Sequence, residues 1–104
     1  MYVDIWEYAI KSDFRNEFLE SYGSQGVWAK LFRRGKGYLF TEFLEDNNDT
    51  NHFVTIDYWD SVEEYHDLRK TFSGEYDDVD KICRSYTLKE RQIGDFALVG
   101  NRPT

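Results

Sequence analysis

Residues 52–72 read HFVTIDYWDSVEEYHDLRKTF, a strand pattern followed by a helix pattern that meet at Trp59. Successive side chains of a strand point to opposite faces. Large or branched apolar groups occur on both faces of this strand, so we expect both faces to be covered in the folded protein. One face carries Phe53, Thr55, Asp57 and Trp59, and the other carries His52, Val54, Ile56 and Tyr58.

Further strand and helix patterns surround this stretch. Aromatic and β-branched runs predict strands, and apolar residues spaced three or four apart predict helices. The predicted strands are residues 2–10, 38–44, 52–59 and 93–99, and the predicted helices are residues 14–22, 27–34 and 62–86.

Polar residues mark the expected ends of these elements. Ser12 or Asp13 is expected to cap the first helix, and Ser61 with Glu64 fits a capping box for the last helix. The Ser and Gly at positions 73–74 are expected to kink or split that helix. The Asn- and Asp-rich residues 45–51 predict a longish hairpin loop. Thr87 and Glu90 form a second possible capping box, over a short turn.

The order β-α-β-β-α-β predicts an α+β, ferredoxin-like fold in a single domain over residues 1–100, with a tail at residues 101–104. Such a fold has a four-stranded antiparallel sheet with helices on one face only. Because the strands carry apolar groups on both faces, the uncovered face needs a partner. We therefore predict a homodimer that packs sheet against sheet.

The composition supports a second buried surface. Of the 104 residues, 18% are aromatic, which is more than one small core can hide. The surplus predicts a subunit interface or a pocket for a small aromatic ligand.

The formal net charge of −7 disfavours nucleic acid and anionic membranes as partners. The single cysteine, Cys83, cannot form an intrachain disulfide. The N-terminal residues MYVDIWEY do not resemble a secretion signal, and no run of 18 apolar residues occurs. A cytoplasmic location is therefore expected.

Two segments carry a resemblance to a known family. They are TIDYWDSVEEY at residues 55–65 and LFRRGKGYLFTEFL at residues 31–44. With these segments the chain resembles the dimeric α/β-barrel superfamily, specifically domains related to the antibiotic biosynthesis monooxygenases. The family pattern is matched by Tyr58, Trp59, Ser61, Glu63 and Tyr65.

The resemblance implies a pocket between the sheet and the helices, with Trp59 and Tyr65 among its catalytic residues. Thr55 and Asp57 share a strand face with Trp59 and would point into the same cavity. Thr55 stands where the quinol oxygenases of the superfamily carry an asparagine. The alternative for Trp59 is a core aromatic that closes the top of the sheet, and for Tyr65 it is packing on the helix stripe.

Three residues of the broken first helix are candidate substrate contacts: Trp28, Phe32 and Arg33. The break at residues 23–26 could form a lip over the pocket, with Arg33 facing an anionic or phenolate ligand. The alternative is a helix corner with ordinary packing. Glu7 is a candidate proton acceptor if its strand face meets the helices, because burial would raise its pKa. Its alternative is a salt bridge to Arg33 or Arg34.

Haem and metal chemistry are disfavoured. The haem-degrading branch carries a histidine nine or ten residues after the tryptophan, where this chain has Leu68 and Arg69; His66 lies only seven residues after it. The histidines, the cysteine and the carboxylates show no metal-ligand spacing, and no nucleotide-binding or CxxC motif occurs. We expect no metal and no cofactor.

Two functions stay open at this level. One is a cofactor-independent monooxygenase acting on an aromatic or polyketide-like phenol, with Glu7 or Asp57 handling the proton. The other is a non-catalytic homodimer that binds a small ligand or acts as an accessory domain. Whether the chain is an enzyme is left undecided by the sequence.

Overall fold

The computed structural model describes residues 1–100. The predicted tail at residues 101–104 lies outside them. The elements, in chain order, are strand β1 (Tyr2–Ile10), a 3-10 turn (Ser12–Phe14), helices α1 (Arg15–Tyr22) and α2 (Val27–Phe32), strands β2 (Tyr38–Asp46) and β3 (Asp49–Trp59), helices α3 (Val62–Thr71) and α4 (Ser73–Arg84), and strand β4 (Thr87–Ala97).

The four strands form one antiparallel sheet in the order β2-β3-β1-β4. This is the arrangement of a ferredoxin-like βαββαβ fold, so the predicted fold class is confirmed. The strands that are adjacent in the chain, β2 and β3, form a hairpin, while β1 lies in the middle between β3 and β4.

The helices pack on the predicted side of the sheet. Phe53, Thr55 and Trp59 are buried on β3, and the alternating residues Val54 and Ile56 are only half-buried. The buried side forms two apolar clusters that combine helix and strand residues. One contains Tyr2, Leu31, Phe32, Trp59, Tyr65 and Leu68, and the other contains Tyr8, Ile10, Phe18 and Phe53.

The β2–β3 hairpin is longer than predicted. The strands continue to Asp46 and from Asp49, so the connection is a two-residue turn and the expected longish loop is wrong. Two aspartates close the turn from their own side chains: Asp46 Oδ1 accepts from the Asn48 backbone at 2.8 Å, and Asp49 Oδ1 accepts from the Asn51 backbone at 2.9 Å. Such bonds from Asp side chains to the backbone are typical of tight turns, and cross-strand pairing of Asp46 with Asp49 carries the strands up to this turn.

The helix boundaries confirm one predicted cap and correct another. Ser61 Oγ accepts a 3.2 Å hydrogen bond from the Glu64 backbone, as predicted. The helix is split at Phe72, one residue before the predicted break. The first helix has no side-chain cap, so the prediction for Ser12 or Asp13 is wrong; the chain enters α1 through the 3-10 turn instead.

The last strand starts earlier than predicted, and the capping box at Thr87 and Glu90 is wrong. Both residues lie in β4, where Thr87 pairs with Ile10 and Glu90 pairs with Tyr8. The polar residues 87–92 accept a strand conformation because β1 offers hydrogen-bonding partners along its full length and one side of this edge strand faces solvent. None of the helices within residues 1–100 is long and apolar enough to cross a membrane.

Candidate functional site

A cavity of about 280 Å³ lies between the helix-facing side of the sheet and the α1–α2 segment. Its volume is at the lower end for small-molecule sites. Half of its lining residues are aromatic. The aromatic lining is Trp6, Tyr8, Tyr22, Trp28, Phe32, Tyr38, Phe40 and Phe43, and the remaining lining is Gly23, Ser24, Ala29, Arg33, Leu39, Thr41, Thr55 and Asp57.

The glycine-rich break between α1 and α2 shapes one wall of the cavity. A Cβ at Gly26 would lie 2.3 Å from the backbone oxygens of Glu20 and Ser21, so only glycine fits this close approach. The break is tied to the end of α2 because Arg33 Nη2 donates a 2.5 Å hydrogen bond to the Ser24 backbone oxygen. Trp28 and Arg33 both lie at the cavity, next to the break that was predicted to form its lip.

Asp57 supplies the only acidic side chain among the cavity residues of the described chain. Thr41 Oγ1 donates a 2.6 Å hydrogen bond to Asp57 Oδ1, and the Tyr38 hydroxyl lies 2.7 Å from Thr41 Oγ1. Since the Thr41 proton points to the carboxylate, Tyr38 is the donor in the second bond. The three residues form a hydrogen-bonded chain that ends on a carboxylate facing the cavity.

Burial changes the acidity of Asp57. Part of its surface is open to the cavity, but protein encloses the rest, and desolvation raises its pKa to about 7. The hydrogen bond from Thr41 opposes this shift, and the nearby charge of Asp4 adds to it. A carboxyl group with a pKa near 7 exchanges protons at neutral pH, which suits a general base.

Thr55 lies on β3, two residues before Asp57 and on the same face of the strand. It is 2% exposed, and its Oγ1 is 3.0 Å from the buried Tyr8 hydroxyl. Burial raises the pKa of Tyr8 well above its ordinary value, so Tyr8 stays neutral. The hydroxyl of Thr55 is thus engaged by Tyr8, at the position where the quinol oxygenases of the resembled superfamily carry an amide.

Trp59 and Tyr65 do not line the cavity. Trp59 is fully buried, with its ring 5.4 Å from Phe32 and 5.3 Å from Tyr38, both of which line the cavity wall. Tyr65 stacks on Tyr2 at 5.5 Å and belongs to the same core cluster. These positions match the alternative of core aromatics, with Trp59 supporting the wall from behind.

Glu7 lies on the opposite face of the sheet, so the condition for its predicted role is not met. Its Oε1 accepts from Arg91 Nε at 3.0 Å, and His52 Nε2 lies 3.6 Å from its Oε2. The hydrogen bond from Arg91 lowers the pKa of Glu7, whereas the predicted role needed burial to raise it. The predicted alternative, a salt bridge, is correct in kind, but its partner is Arg91 instead of Arg33 or Arg34.

The structure thus brings together five of the eight candidate residues: Trp28, Phe32, Arg33, Thr55 and Asp57. Sequence reasoning missed the contributions of β1, α1 and β2, which are Trp6, Tyr8, Tyr22, Tyr38, Leu39, Phe40, Thr41 and Phe43. One signal was available for β1: its even-numbered positions hold the larger aromatics, whereas Glu7 alternates with them. Within residues 1–100, no group of three or more His, Cys, Asp or Glu side chains is placed to hold a metal ion.

The amino-acid sequence alone matches no protein-family model, and no curated protein matches it. Solved structures do match. SnoaB, a cofactor-independent oxygenase from Streptomyces nogalater, shares 16% identity at a TM-score of 0.75, over 99% of this chain and 97% of that one. A crystal structure of an antibiotic biosynthesis monooxygenase shares 16% sequence identity at a TM-score of 0.70, over 96% of this chain and 100% of that one.

A conserved protein from Methanosarcina mazei Go1 also matches, with 7% identity and a TM-score of 0.69, over 92% of this chain and 91% of that one. These similarities span nearly the full length of every chain involved. At such identities they establish a shared fold. The predicted resemblance to antibiotic biosynthesis monooxygenase structures is therefore confirmed at the level of the fold.

Proposed function

We propose that this protein is a cofactor-independent monooxygenase whose substrate is a flat aromatic or polyketide-like phenol bound in the cavity. The observation that carries this proposal is the Asp57 carboxylate facing a cavity in which half of the lining residues are aromatic. The similarity in fold to a cofactor-independent oxygenase supports the same reaction class, and fold similarity alone does not determine function.

The cavity walls suit a planar ligand. Trp28 and Tyr22 stand on one side, and Phe43 and Trp6 belong to the sheet, so an aromatic substrate can stack on rings and lose its water shell. Arg33 at the rim supplies a positive charge for a phenolate oxygen. Binding in a fixed pose also holds the reacting carbon next to the proton acceptor.

Asp57 is the proton acceptor of the proposed reaction. The carboxylate removes a proton from a phenolic O–H or from an acidic CH₂ next to a carbonyl, and the substrate becomes an electron-rich anion. The Tyr38–Thr41–Asp57 chain keeps the carboxylate oriented during this step. Because the pKa of Asp57 is about 7, a large share of the protein carries the active base at neutral pH.

The oxygen step needs no other reactant. The substrate anion passes one electron to O₂, the resulting radical pair combines to a peroxide, and loss of water leaves a carbonyl. In sum, a CH₂ group and O₂ give a C=O group and H₂O. The carbon loses four electrons and O₂ gains four, so no external reductant is required.

Oxygen consumption tests this proposal. Metal- and flavin-free protein is mixed with anthrone- or naphthol-type phenols in an oxygen electrode. We expect enzyme-dependent uptake of one O₂ per carbonyl product, unaffected by a chelator. Uptake that requires added metal or flavin, or no uptake with any such phenol, would contradict the proposal.

The non-catalytic alternative is favoured by a separate observation. The family resemblance predicted catalytic roles for Trp59 and Tyr65, but both lie in the core. The hydroxyl of Thr55 is hydrogen-bonded to Tyr8. A ligand-binding or accessory domain predicts quenching of tryptophan fluorescence by the same phenols without any oxygen uptake. Binding and uptake measured on one sample separate the two functions.

The proposed oligomer is a homodimer through the open face of the sheet. This face includes the half-buried Val54 and Ile56, and the exposed Leu44 and Phe96 are register partners of Val54 and Val3 on the same side. A second copy would cover these apolar side chains, as sheets do when they pack face to face. A cytoplasmic location is proposed from the sequence features alone.

A further inference from the structure

Three carboxylates lie side by side across the helix-facing side of the sheet. Asp57 on β3 is the register partner of Asp4 on β1, and Asp4 is the register partner of Asp95 on β4. Asp4, in the middle, is 3% exposed. Like charges placed opposite each other on neighbouring strands destabilise a sheet. A functional role for these three carboxylates would explain why the sheet contains them.

The partners of Asp4 and Asp57 differ in kind. Asp4 accepts a 3.1 Å hydrogen bond from Trp6 Nε1 and a 2.7 Å bond from Gln92 Nε2. Burial raises the pKa of Asp4. Both donor groups only donate, and each oxygen of Asp4 is taken, so these two bonds oppose that shift and favour the ionised form. Asp57 accepts one side-chain hydrogen bond, from the hydroxyl of Thr41, against the two that Asp4 accepts, so its ionised form is stabilised less.

We propose that Asp4 is a positioning residue of the cavity: its charge sets the protonation of the neighbouring Asp57, and its hydrogen bond fixes the Trp6 wall. Trp6 lines the cavity and Asp4 does not, so Asp4 acts through these two residues. The two carboxyl groups have different roles in this proposal: Asp4 carries the negative charge, and Asp57 binds and releases the proton. The part of Asp57 in catalysis rests on the proposed function, whereas the coupling between the two carboxylates does not.

The other ionisable groups around the pair do not replace Asp4. Burial raises the pKa of the surrounding tyrosines, which therefore stay neutral; they are Tyr2, Tyr8, Tyr22, Tyr38, Tyr65 and Tyr76. The charged groups nearby are Arg33 at the rim, Arg69 on α3, and Glu90 and Asp95 on β4. Asp4 alone among these is paired in register with Asp57.

The coupling is measured without substrate. The carboxyl ¹³C shift of Asp57 is followed by NMR from pH 4 to pH 9 in the wild type, in Asp4→Asn and in Asp95→Asn. At an effective dielectric constant of about 20, removing a charge roughly 5 Å away shifts a titration midpoint by about two to two and a half pH units. We expect a downward shift of that size in Asp4→Asn. The matched control, Asp95→Asn, removes the same charge two strands from Asp57 and is expected to shift the midpoint far less.

A second variant covers the case in which Asp4→Asn does not fold. Gln92→Leu changes an exposed edge-strand residue, removes one donor to Asp4 and favours its neutral form, so the Asp57 midpoint is expected to fall here as well. An Asp57 midpoint that is unchanged in a folded Asp4→Asn protein, or in Gln92→Leu where Asp4→Asn is unfolded, would overturn the proposal. A shift equal to that of Asp95→Asn would overturn it too. Absence of oxygen uptake by the wild type would count against the proposed function and leave this result standing.

Discussion

The hydroxyl of Thr41 on β2 donates a 2.6 Å hydrogen bond to the carboxylate of Asp57, its register partner on β3. This bond stabilises the ionised form of a carboxyl group that burial would otherwise keep neutral. An edge strand thereby sets how easily the cavity accepts a proton.

Loss of this bond is expected to make Asp57 harder to ionise. A hydrogen bond to a charged group contributes about 1.5–3 kcal/mol, so Thr41→Val should raise the Asp57 midpoint by about one to two pH units. Carboxyl ¹³C titration measures the shift. Thr41→Ser keeps the hydroxyl and should titrate like the wild type, and an unchanged or lower midpoint in Thr41→Val would show that the bond does not stabilise the carboxylate.

The buried carboxyl group also makes stability depend on pH. The pKa of Asp57 is raised from 3.8 to about 7 by folding, so the folded protein binds more protons between these values and loses stability as pH rises through that window. Asp57→Asn should therefore be more stable than the wild type at pH 8, by up to about 4 kcal/mol. This gain should vanish below pH 4.

Urea unfolding at pH 4, 6 and 8 measures this difference. Asp78 is exposed on α4, so Asp78→Asn is the control for loss of one negative charge and should show no such trend. A constant difference between Asp57→Asn and the wild type across the three pH values would mean that Asp57 is ionised normally in the folded protein.

The proposed dimer makes a prediction for the open face of the sheet. Ile56→Asp would place an unpaired charge in the interface, so it should convert a dimer near twice 12.5 kDa into a monomer in sedimentation equilibrium. Ile82→Asp adds the same charge at an exposed position on α4 and should stay dimeric. A wild type that is monomeric at micromolar concentration would refute the interface itself.

The core position of Trp59 predicts a stability effect. Trp59→Ala removes a fully buried ring that contacts Phe32, Tyr38 and Tyr65, and should cost about 3–5 kcal/mol of unfolding free energy. Trp28 is half-buried at the cavity, so Trp28→Ala should cost clearly less while weakening phenol binding. Equal losses in the two variants would argue against this division between core and cavity.

The fold could be predicted because its signals are local and repeated. Alternation on residues 52–59 grouped the residues of each face of β3, the family resemblance at Trp59 indicated which face meets the helices, and glycines marked the break before α2. The ends of β2, β3 and β4 could not be predicted in the same way. Their polar residues are held in strands by turn-closing side chains and by pairing with β1, which no single segment reveals.

The site was predicted only in part, because a cavity is defined by several elements at once. Asp57, Thr55, Trp28, Phe32 and Arg33 line the cavity and their roles there stay predictions, whereas the position of Glu7 depended on which face of β1 meets the helices. Trp59 lies in the core and not at the cavity because Phe32 and Tyr38 pack between its ring and the cavity. The bonds from Thr41 and Tyr38 depend on strand register, which the sequence does not fix.

The role of Asp57 as the proton acceptor of a cofactor-free oxygenase is tested by the rate of oxygen uptake in Asp57→Asn. With an anthrone-type phenol and no added metal or flavin, the wild type should consume O₂ at a rate that rises through about pH 7 and then levels off. Loss of a general base costs about 10²–10⁴-fold in rate, so uptake by Asp57→Asn should fall by at least about 100-fold, while Asp78→Asn keeps the wild-type rate. Uptake by a folded Asp57→Asn at the wild-type rate and with the wild-type pH profile would show that Asp57 is not the proton acceptor.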